Sequence, residues 1–148
     1  NKPYHGRICV EIVVTLAAFA RQIGAQVFDG QTGFIVGGDR QQVRMPDVSL
    51  LTRERLHLVP PDGFVRGAPD LAVEVLSEEQ FGEAYALAKI GEYFASGAKV
   101  VLLVDPREKS VRLYEAGSST SAVYSGDAEL TLDAIAPGFK SPVSAFFP

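Results

Sequence analysis

Two acidic residues lie at the ends of segments that otherwise have the composition of buried β-strands. Asp47 falls within the run Arg44–Leu51, and Glu74 falls within the run Asp70–Ser77. A charge inside an apolar strand costs free energy unless it is paired or binds a cation. The pattern therefore predicts two neighbouring strands whose carboxylates share one divalent metal ion, with their oxygens within about 4–5 Å of each other.

The helical segments are predicted from the spacing of apolar side chains. Residues 4–23 have apolar positions every three or four residues, which predicts a helix that ends at Gly24. Residues 78–96 predict a second helix with Gly97 as its stop, and an apolar stripe of Leu87, Ile90 and Phe94.

The strands are predicted from short apolar or alternating runs between turn residues. The predicted strands cover residues 26–28, 34–36, 99–104 and 110–114, with weaker ones at 122–124 and 129–131. Residues 52–68 are predicted to be a long connection, and residues 136–148 a loop with aromatic anchors. This order of elements predicts a single α/β domain over residues 1–148, with a mixed central β-sheet flanked by helices.

The charge and composition limit the classes of partner. The chain is 47% hydrophobic, which indicates a globular protein, and its net charge is −4, which argues against a large basic surface for nucleic acid. An acidic site that binds a metal ion before its substrate is still compatible with that charge. Any phosphate contact would have to come from a local patch of arginines, such as Arg40, Arg44, Arg53, Arg55 and Arg66.

The single cysteine and the apolar runs bear on the cellular setting. Cys9 allows no internal disulfide and is interpreted as a small buried side chain in a reducing, cytoplasmic setting. The longest apolar run, Ile12–Ala20, is too short to span a membrane, and we expect no signal peptide. His5 and His57 lack the spacing of a zinc site, so zinc is not expected.

Lys89 is the lysine that follows Glu74 most closely along the chain. On a helix it shares a face with Tyr85 and Tyr93, opposite the apolar stripe. A lysine between two tyrosines has partly apolar surroundings and could reach back toward Glu74. The alternative is a side chain that extends into solvent.

Several motifs, taken in order, resemble a known protein family. They are Pro46-Asp47-Val48, Glu74-Val75-Leu76-Ser77, Lys89-x-x-x-Tyr93-x-x-x-Gly97, Val104-Asp105-Pro106 and Pro137-Gly138-Phe139. Their order and spacing resemble the Uma-type family of restriction endonuclease-like proteins, which belongs to the PD-(D/E)xK nuclease superfamily. The resemblance runs from about His5 to the C-terminus, and the strands that precede the first helix in that family are not found here.

The resemblance implies a fold, an activity and a set of site residues. The implied fold is restriction endonuclease-like, and the implied activity is Mg²⁺- or Mn²⁺-dependent hydrolysis of DNA phosphodiester bonds. Asp47 and Glu74 would be metal ligands, the backbone carbonyl of Val75 a third ligand, and Lys89 the catalytic lysine that has moved from the strand to the helix.

Other interpretations stay open at this point. Asp47 could be a turn acid after a proline, and Glu74 could pair with an arginine such as Arg44 or Arg66. The chain could also be an inactive nuclease-fold protein that acts as a binding or assembly module, which its acidic charge and its altered Glu78–Tyr85 segment favour. A small-molecule binding protein has no positive feature to support it.

A homodimer is expected, because a duplex has two strands to cut and paired active sites are commonly related by a two-fold axis. Apolar residues beyond the needs of the core could form the interface, among them Val10, Val13, Phe146 and Phe147.

Overall fold

The fold is known from a computed structural model that describes residues 2–77 and 82–148. The first helix, α1 (Pro3–Ile23), begins with a proline in its first turn and ends at Gly24, whose φ of 74° is the left-handed conformation of a helix stop. Ile8, Ile12 and Leu16 lie on its buried face, as the spacing predicted. The second helix, α2, covers Gly82–Ala95.

Eleven strands are present among the described residues, together with two short 3₁₀ helices at Arg53–Leu58 and Val143–Phe146. The strands are β1 (Gln26–Phe28), β2 (Phe34–Val36), β3 (Gln42–Arg44), β4 (Val48–Leu51), β5 (Val65–Arg66), β6 (Leu71–Val75), β7 (Val100–Asp105), β8 (Ser110–Glu115), β9 (Ser121–Ser125), β10 (Glu129–Leu132) and β11 (Ala136–Pro142).

The central sheet has six strands in the order β1-β4-β6-β7-β8-β9. Strands β6 and β7 run parallel, whereas β4 pairs antiparallel with β6 and β8 antiparallel with β7. A parallel pair needs a crossover connection, and α2 lies within the one between β6 and β7. The predicted α/β fold with a mixed sheet and flanking helices is therefore confirmed. Strands β3-β2-β5 and β10-β11 form two smaller sheets.

The two faces of the central sheet bury separate apolar clusters. On one face, Val73 and Val75 of β6 pack in the cluster that contains the buried side of α1. On the other face, Ala72 packs with Ile90 and Tyr93 of α2. Because side chains alternate along a strand, Glu74 belongs to the α2 face.

A second buried acid, Asp70, stands just before β6 and is fully compensated. Its Oδ2 accepts hydrogen bonds from the backbone N–H and the hydroxyl of Thr52, at 2.8 and 3.0 Å. Its Oδ1 accepts from Arg55 at 3.1 Å and from Lys99 at 3.0 Å. Burial alone would raise the pKa of Asp70, but the hydrogen bonds from Thr52, Lys99 and Arg55 hold it below its usual value. This cluster joins the start of β6 to the neighbouring segments.

Several sequence-based boundaries were wrong. The run Arg44–Leu51 is two strands separated by residues 45–47, so Asp47 lies just before β4 and not inside it. The long connection contains a 3₁₀ helix and β5, and the tail is not a loop but forms β11 and a second 3₁₀ helix. The predicted start of the second helix, at residues 78–81, lies outside the described residues.

The predicted faces of the second helix also need correction. Leu87 is 45% exposed, whereas Tyr93 is completely buried, and the core face is formed by Ala86, Ile90 and Tyr93. Tyr93 can be buried in place of Leu87 because its phenol has a hydrogen-bond partner inside the protein.

Within the described part of the chain, no helix is long and apolar enough to cross a membrane.

Candidate functional site

Glu74 is the centre of the candidate site. Its side chain lies on the α2 face of β6 and is almost fully buried, with 6% of the residue exposed. The phenol of Tyr93 donates a hydrogen bond of 2.7 Å to Oε1, and the ammonium of Lys89 lies 3.8 Å from Oε2. A buried carboxylate is thus held between one neutral donor and one cation, both supplied by α2.

The surroundings of Glu74 raise the pKa of its carboxyl group to near neutral pH. The pKa of Glu74 is raised to about 7: burial is the main cause and the charge of Asp47 adds to it, while the Tyr93 hydrogen bond and the Lys89 charge oppose the rise. Burial and the adjacent carboxylate also raise the pKa of Tyr93, so its phenol stays protonated and remains a donor. A carboxyl group that exchanges its proton near neutral pH is a frequent feature of functional sites.

Asp47 reaches the site along the end of the sheet. In the antiparallel pair of β4 and β6, Val48 stands opposite Val73, so the residue before Val48 lies beside the end of β6 that carries Glu74. The Oδ2 of Asp47 accepts a hydrogen bond of 2.7 Å from the backbone N–H of Val75. This bond fixes the Asp47 carboxylate against the residue that follows Glu74.

Lys89 lies within the site and has little contact with solvent. Its side chain is 15% exposed, and its ammonium is 4.7 Å from the centre of the Tyr85 ring, within the range of a cation–π contact. Asp47, Glu74 and Lys89 therefore belong to one cluster. Their metal-binding and catalytic roles, and the role of the Val75 carbonyl, stay predictions.

The alternative in which Glu74 pairs with Arg44 does not match the observed contacts. Arg44 donates to both carboxylate oxygens of Glu92, at 2.7 and 3.0 Å, and Gln42 donates to the same carboxylate at 2.7 Å. This part-buried ion pair connects β3 to α2. Arg44 acts on Glu74 at longer range, where its charge opposes the rise in the pKa of that carboxyl.

Two residues of α1 that the sequence analysis set aside also lie at the site. The Nε2 of His5 is 3.6 Å from Oδ2 of Asp47, and its Nδ1 is 3.7 Å from Sγ of Cys9. The contact with Asp47, followed by that with Cys9, raises the pKa of His5 to about 10. The spacing of four residues between His5 and Cys9 was visible in the sequence, but the approach of Asp47 depends on tertiary structure.

A groove of about 470 Å³ adjoins the site on the same face of the sheet. Leu103, which stands opposite Glu74 in the β6–β7 register, lines it together with Leu76, two residues after Glu74. The groove is lined by residues of both charges. Arg107 and Arg112 are basic, and Asp105 and Glu108 are acidic.

Comparisons with known proteins agree with this architecture. A family model described as "Uma2: Putative restriction endonuclease" matches residues 1–144. A solved structure, described as a putative nuclease belonging to DUF820 from Anabaena variabilis ATCC 29413, is 22% identical and superposes with a TM-score of 0.84. The match covers 99% of this chain and 82% of that chain. None of the curated proteins matches the chain.

Proposed function

The chain belongs to the Uma2 family of restriction endonuclease-like proteins, and on that premise we propose that it is a metal-dependent endonuclease that hydrolyses DNA phosphodiester bonds. The observation that carries the proposal is the buried carboxylate of Glu74, with the Lys89 ammonium 3.8 Å away. The charge of Asp47 also acts on this carboxylate. A carboxylate pair beside a lysine is a set of groups suited to binding a metal ion and a phosphodiester together.

The residues present fit a hard divalent cation. Mg²⁺ and Mn²⁺ prefer oxygen ligands, and Asp47, Glu74 and the backbone carbonyl of Val75 would supply them. A bound Mg²⁺ supplies Lewis acidity toward a phosphodiester oxygen and lowers the pKa of a coordinated water. The raised pKa of Glu74 supports this assignment, because a nearby cation would favour the ionised carboxylate that burial alone disfavours.

Lys89 is proposed to act on the reacting phosphate. Its limited exposure and its contact with the Tyr85 ring reduce its freedom, so its charge is already positioned before substrate arrives. A preorganised cation stabilises the negative charge that develops on phosphate oxygens in the transition state. The DNA strand is proposed to enter along the adjoining groove, where Arg107 and Arg112 offer charge for its phosphates.

A second candidate function, an inactive nuclease-fold binding or assembly module, is favoured by a specific observation. Asp47 is contacted by His5 of α1, whereas Glu74 is contacted by Tyr93 and Lys89 of α2. Both carboxylates therefore have partners within the protein. The net charge of −4 also gives little steering toward DNA. A direct test of cleavage separates the two functions.

We expect slow nicking of supercoiled plasmid DNA with Mg²⁺ or Mn²⁺, and binding of Ca²⁺ without cleavage. Lys89→Met should reduce the nicking rate by about 10²–10³-fold, because it removes the cation beside the reacting phosphate. The matched control is Lys140→Met, at an exposed lysine of β11. Gel electrophoresis of the plasmid measures the rate. If wild-type protein with Mn²⁺ cuts nothing, the inactive module becomes the better assignment.

We also propose that the protein is a homodimer, with α1 at the interface. Val10 and Val14 are 59% and 60% exposed, which is a high exposure for two valines on one helix. Phe146 was also expected at the interface but is fully buried in the core, and Val13 and Phe147 are partly buried against that core.

The predicted dimer has a direct test. Light scattering at micromolar concentration should give about twice the chain mass of 15.9 kDa. Val14→Lys should return it to the monomer mass, whereas Val123→Lys, at a similarly exposed valine of β9, should not. A wild-type mass near that of one chain contradicts the proposal.

The free thiol of Cys9 supports action in a reducing, cytoplasmic setting.

A further inference from the structure

We propose that His5, Cys9 and Asp47 form a binding site for a divalent transition-metal ion of the Zn²⁺ class, distinct from the hard-cation site proposed at Glu74. The two sites would share one ligand, Asp47. The existence of the transition-metal site does not depend on nuclease activity, whereas competition between the sites rests on the proposed function.

The geometry of α1 places two of the ligands together. His5 and Cys9 are four residues apart, so their side chains lie one above the other on the same face of the helix. The Sγ of Cys9 is 3.7 Å from Nδ1 of His5. Two ligands of one tetrahedral zinc ion are about 3.3–3.8 Å apart, given Zn–N and Zn–S bonds of about 2.0–2.3 Å. The helix alone therefore presents a pair at chelating distance.

Asp47 completes the set from the loop before β4. One ligand atom from each of His5, Cys9 and Asp47 lies within 4.8 Å of the other two. The backbone N–H of Val75 donates to the Asp47 carboxylate at 2.7 Å and so holds it in place, as outer-shell partners of metal ligands do. The side chains of His5 and Asp47 are 12% and 24% exposed, which leaves a path from solvent.

The ligand chemistry selects the ion. A thiolate, an imidazole and a carboxylate suit Zn²⁺ or Co²⁺, whereas Mg²⁺ has no preference for sulfur or nitrogen. On binding, the Cys9 thiol and the His5 imidazolium each release one proton to water, and His5 coordinates through the ring nitrogen that is freed. The ion then replaces the direct contact between His5 and Asp47. Three protein ligands leave the fourth position of a tetrahedron for water.

The test is direct titration of metal-free protein with Zn²⁺ and Co²⁺. We expect one Zn²⁺ per chain by calorimetry, and thiolate-to-metal charge-transfer absorption with Co²⁺. Cys9→Ser and His5→Gln should each weaken Zn²⁺ binding by at least about tenfold, and Cys9→Ser should remove the charge-transfer bands. His57→Gln is the matched control, because His57 is exposed and is not one of the three residues of the cluster. Circular dichroism checks that each variant folds.

The site assignment is overturned if wild-type protein binds no Zn²⁺, or if Cys9→Ser and His5→Gln bind it as tightly as His57→Gln does. The nuclease proposal is tested separately, by measuring DNA cleavage with Mg²⁺. Protein that binds Zn²⁺ through Cys9 but never cuts DNA would retain this site and lose the proposed activity. If both proposals hold, added Zn²⁺ should slow cleavage by wild-type protein, and Cys9→Ser should be less sensitive to it.

Discussion

Glu74→Gln is expected to abolish metal-dependent cleavage and, at the same time, to stabilise the protein. The amide keeps the shape of the side chain and can still accept the Tyr93 hydrogen bond, but it removes the anionic group that is proposed to bind the metal ion. The cleavage rate should fall by at least about 100-fold, because metal affinity and water activation decrease together. Plasmid nicking measures this loss.

The gain in stability follows from the pKa of Glu74, which is raised from 4.5 to about 7. Below pH 4.5 the carboxyl is protonated in both the native and the unfolded state. Between that pH and about 7, the native state keeps a proton that the unfolded state releases, so wild-type stability falls as pH rises. The glutamine variant has no such proton and should be more stable by about 2–4 kcal/mol above neutral pH.

Denaturant unfolding at several pH values measures this difference, and it should disappear in acid. Glu129→Gln, at an exposed glutamate of β10, serves as the control and should show neither effect. A Glu74→Gln variant with unchanged metal binding and unchanged stability would contradict both effects, and the enzyme assignment would fail.

Asp70→Asn is expected to have the opposite effect on stability. The substitution removes the negative charge that compensates Arg55 and Lys99 at the buried start of β6. Breaking a buried ion pair by removing one partner costs about 3–5 kcal/mol. Because the pKa of Asp70 is lowered in the native state, its contribution is present above pH 3.8 and is lost as pH falls through the native pKa.

Denaturant unfolding at neutral pH checks this loss, with Asp62→Asn in an exposed loop as the control. The fraction of Asp70→Asn protein that remains folded should cleave DNA at the wild-type rate. The side-chain partners of Asp70 are Thr52, Arg55 and Lys99, and none of these belongs to the proposed active site. A loss below about 1 kcal/mol would show that solvent, and not the ion cluster, compensates Arg55 and Lys99.

The sequence contained enough information for the framework of this fold. The three- or four-residue spacing along residues 4–23 and the turn residues after it correctly predicted a helix, observed at Pro3–Ile23, and the strands β1 and β2. These signals act within a few neighbouring residues. The buried carboxylate of Glu74 was visible for the same reason, since a charge in an apolar run stands out locally, whereas Asp47 lies just before β4 with its side chain 24% exposed.

Other features depend on contacts between distant segments, which a single sequence does not display. The burial of Tyr93 in place of Leu87 reflects a hydrogen bond to a strand 19 residues earlier. The cluster of His5, Cys9 and Asp47 requires the loop before β4 to reach the start of α1. The break between two strands at residues 45–47 did have a local signal in Pro46, because proline is rare inside a strand, but the extended residues on both sides suggested one continuous strand.

Two buried acids lie at opposite ends of strand β6, and substitutions of them are expected to change stability in opposite directions. Asp70 and Glu74 are four residues apart, or about 13 Å along the strand, so their substitutions should act nearly independently. Loss of Glu74 would remove the proposed activity but relieve the native state of a costly charge, whereas loss of Asp70 would lower the stability of the fold. Lineages of this fold that drift away from catalysis are therefore expected to lose the acid at the end of this strand first and to keep the acid at its beginning.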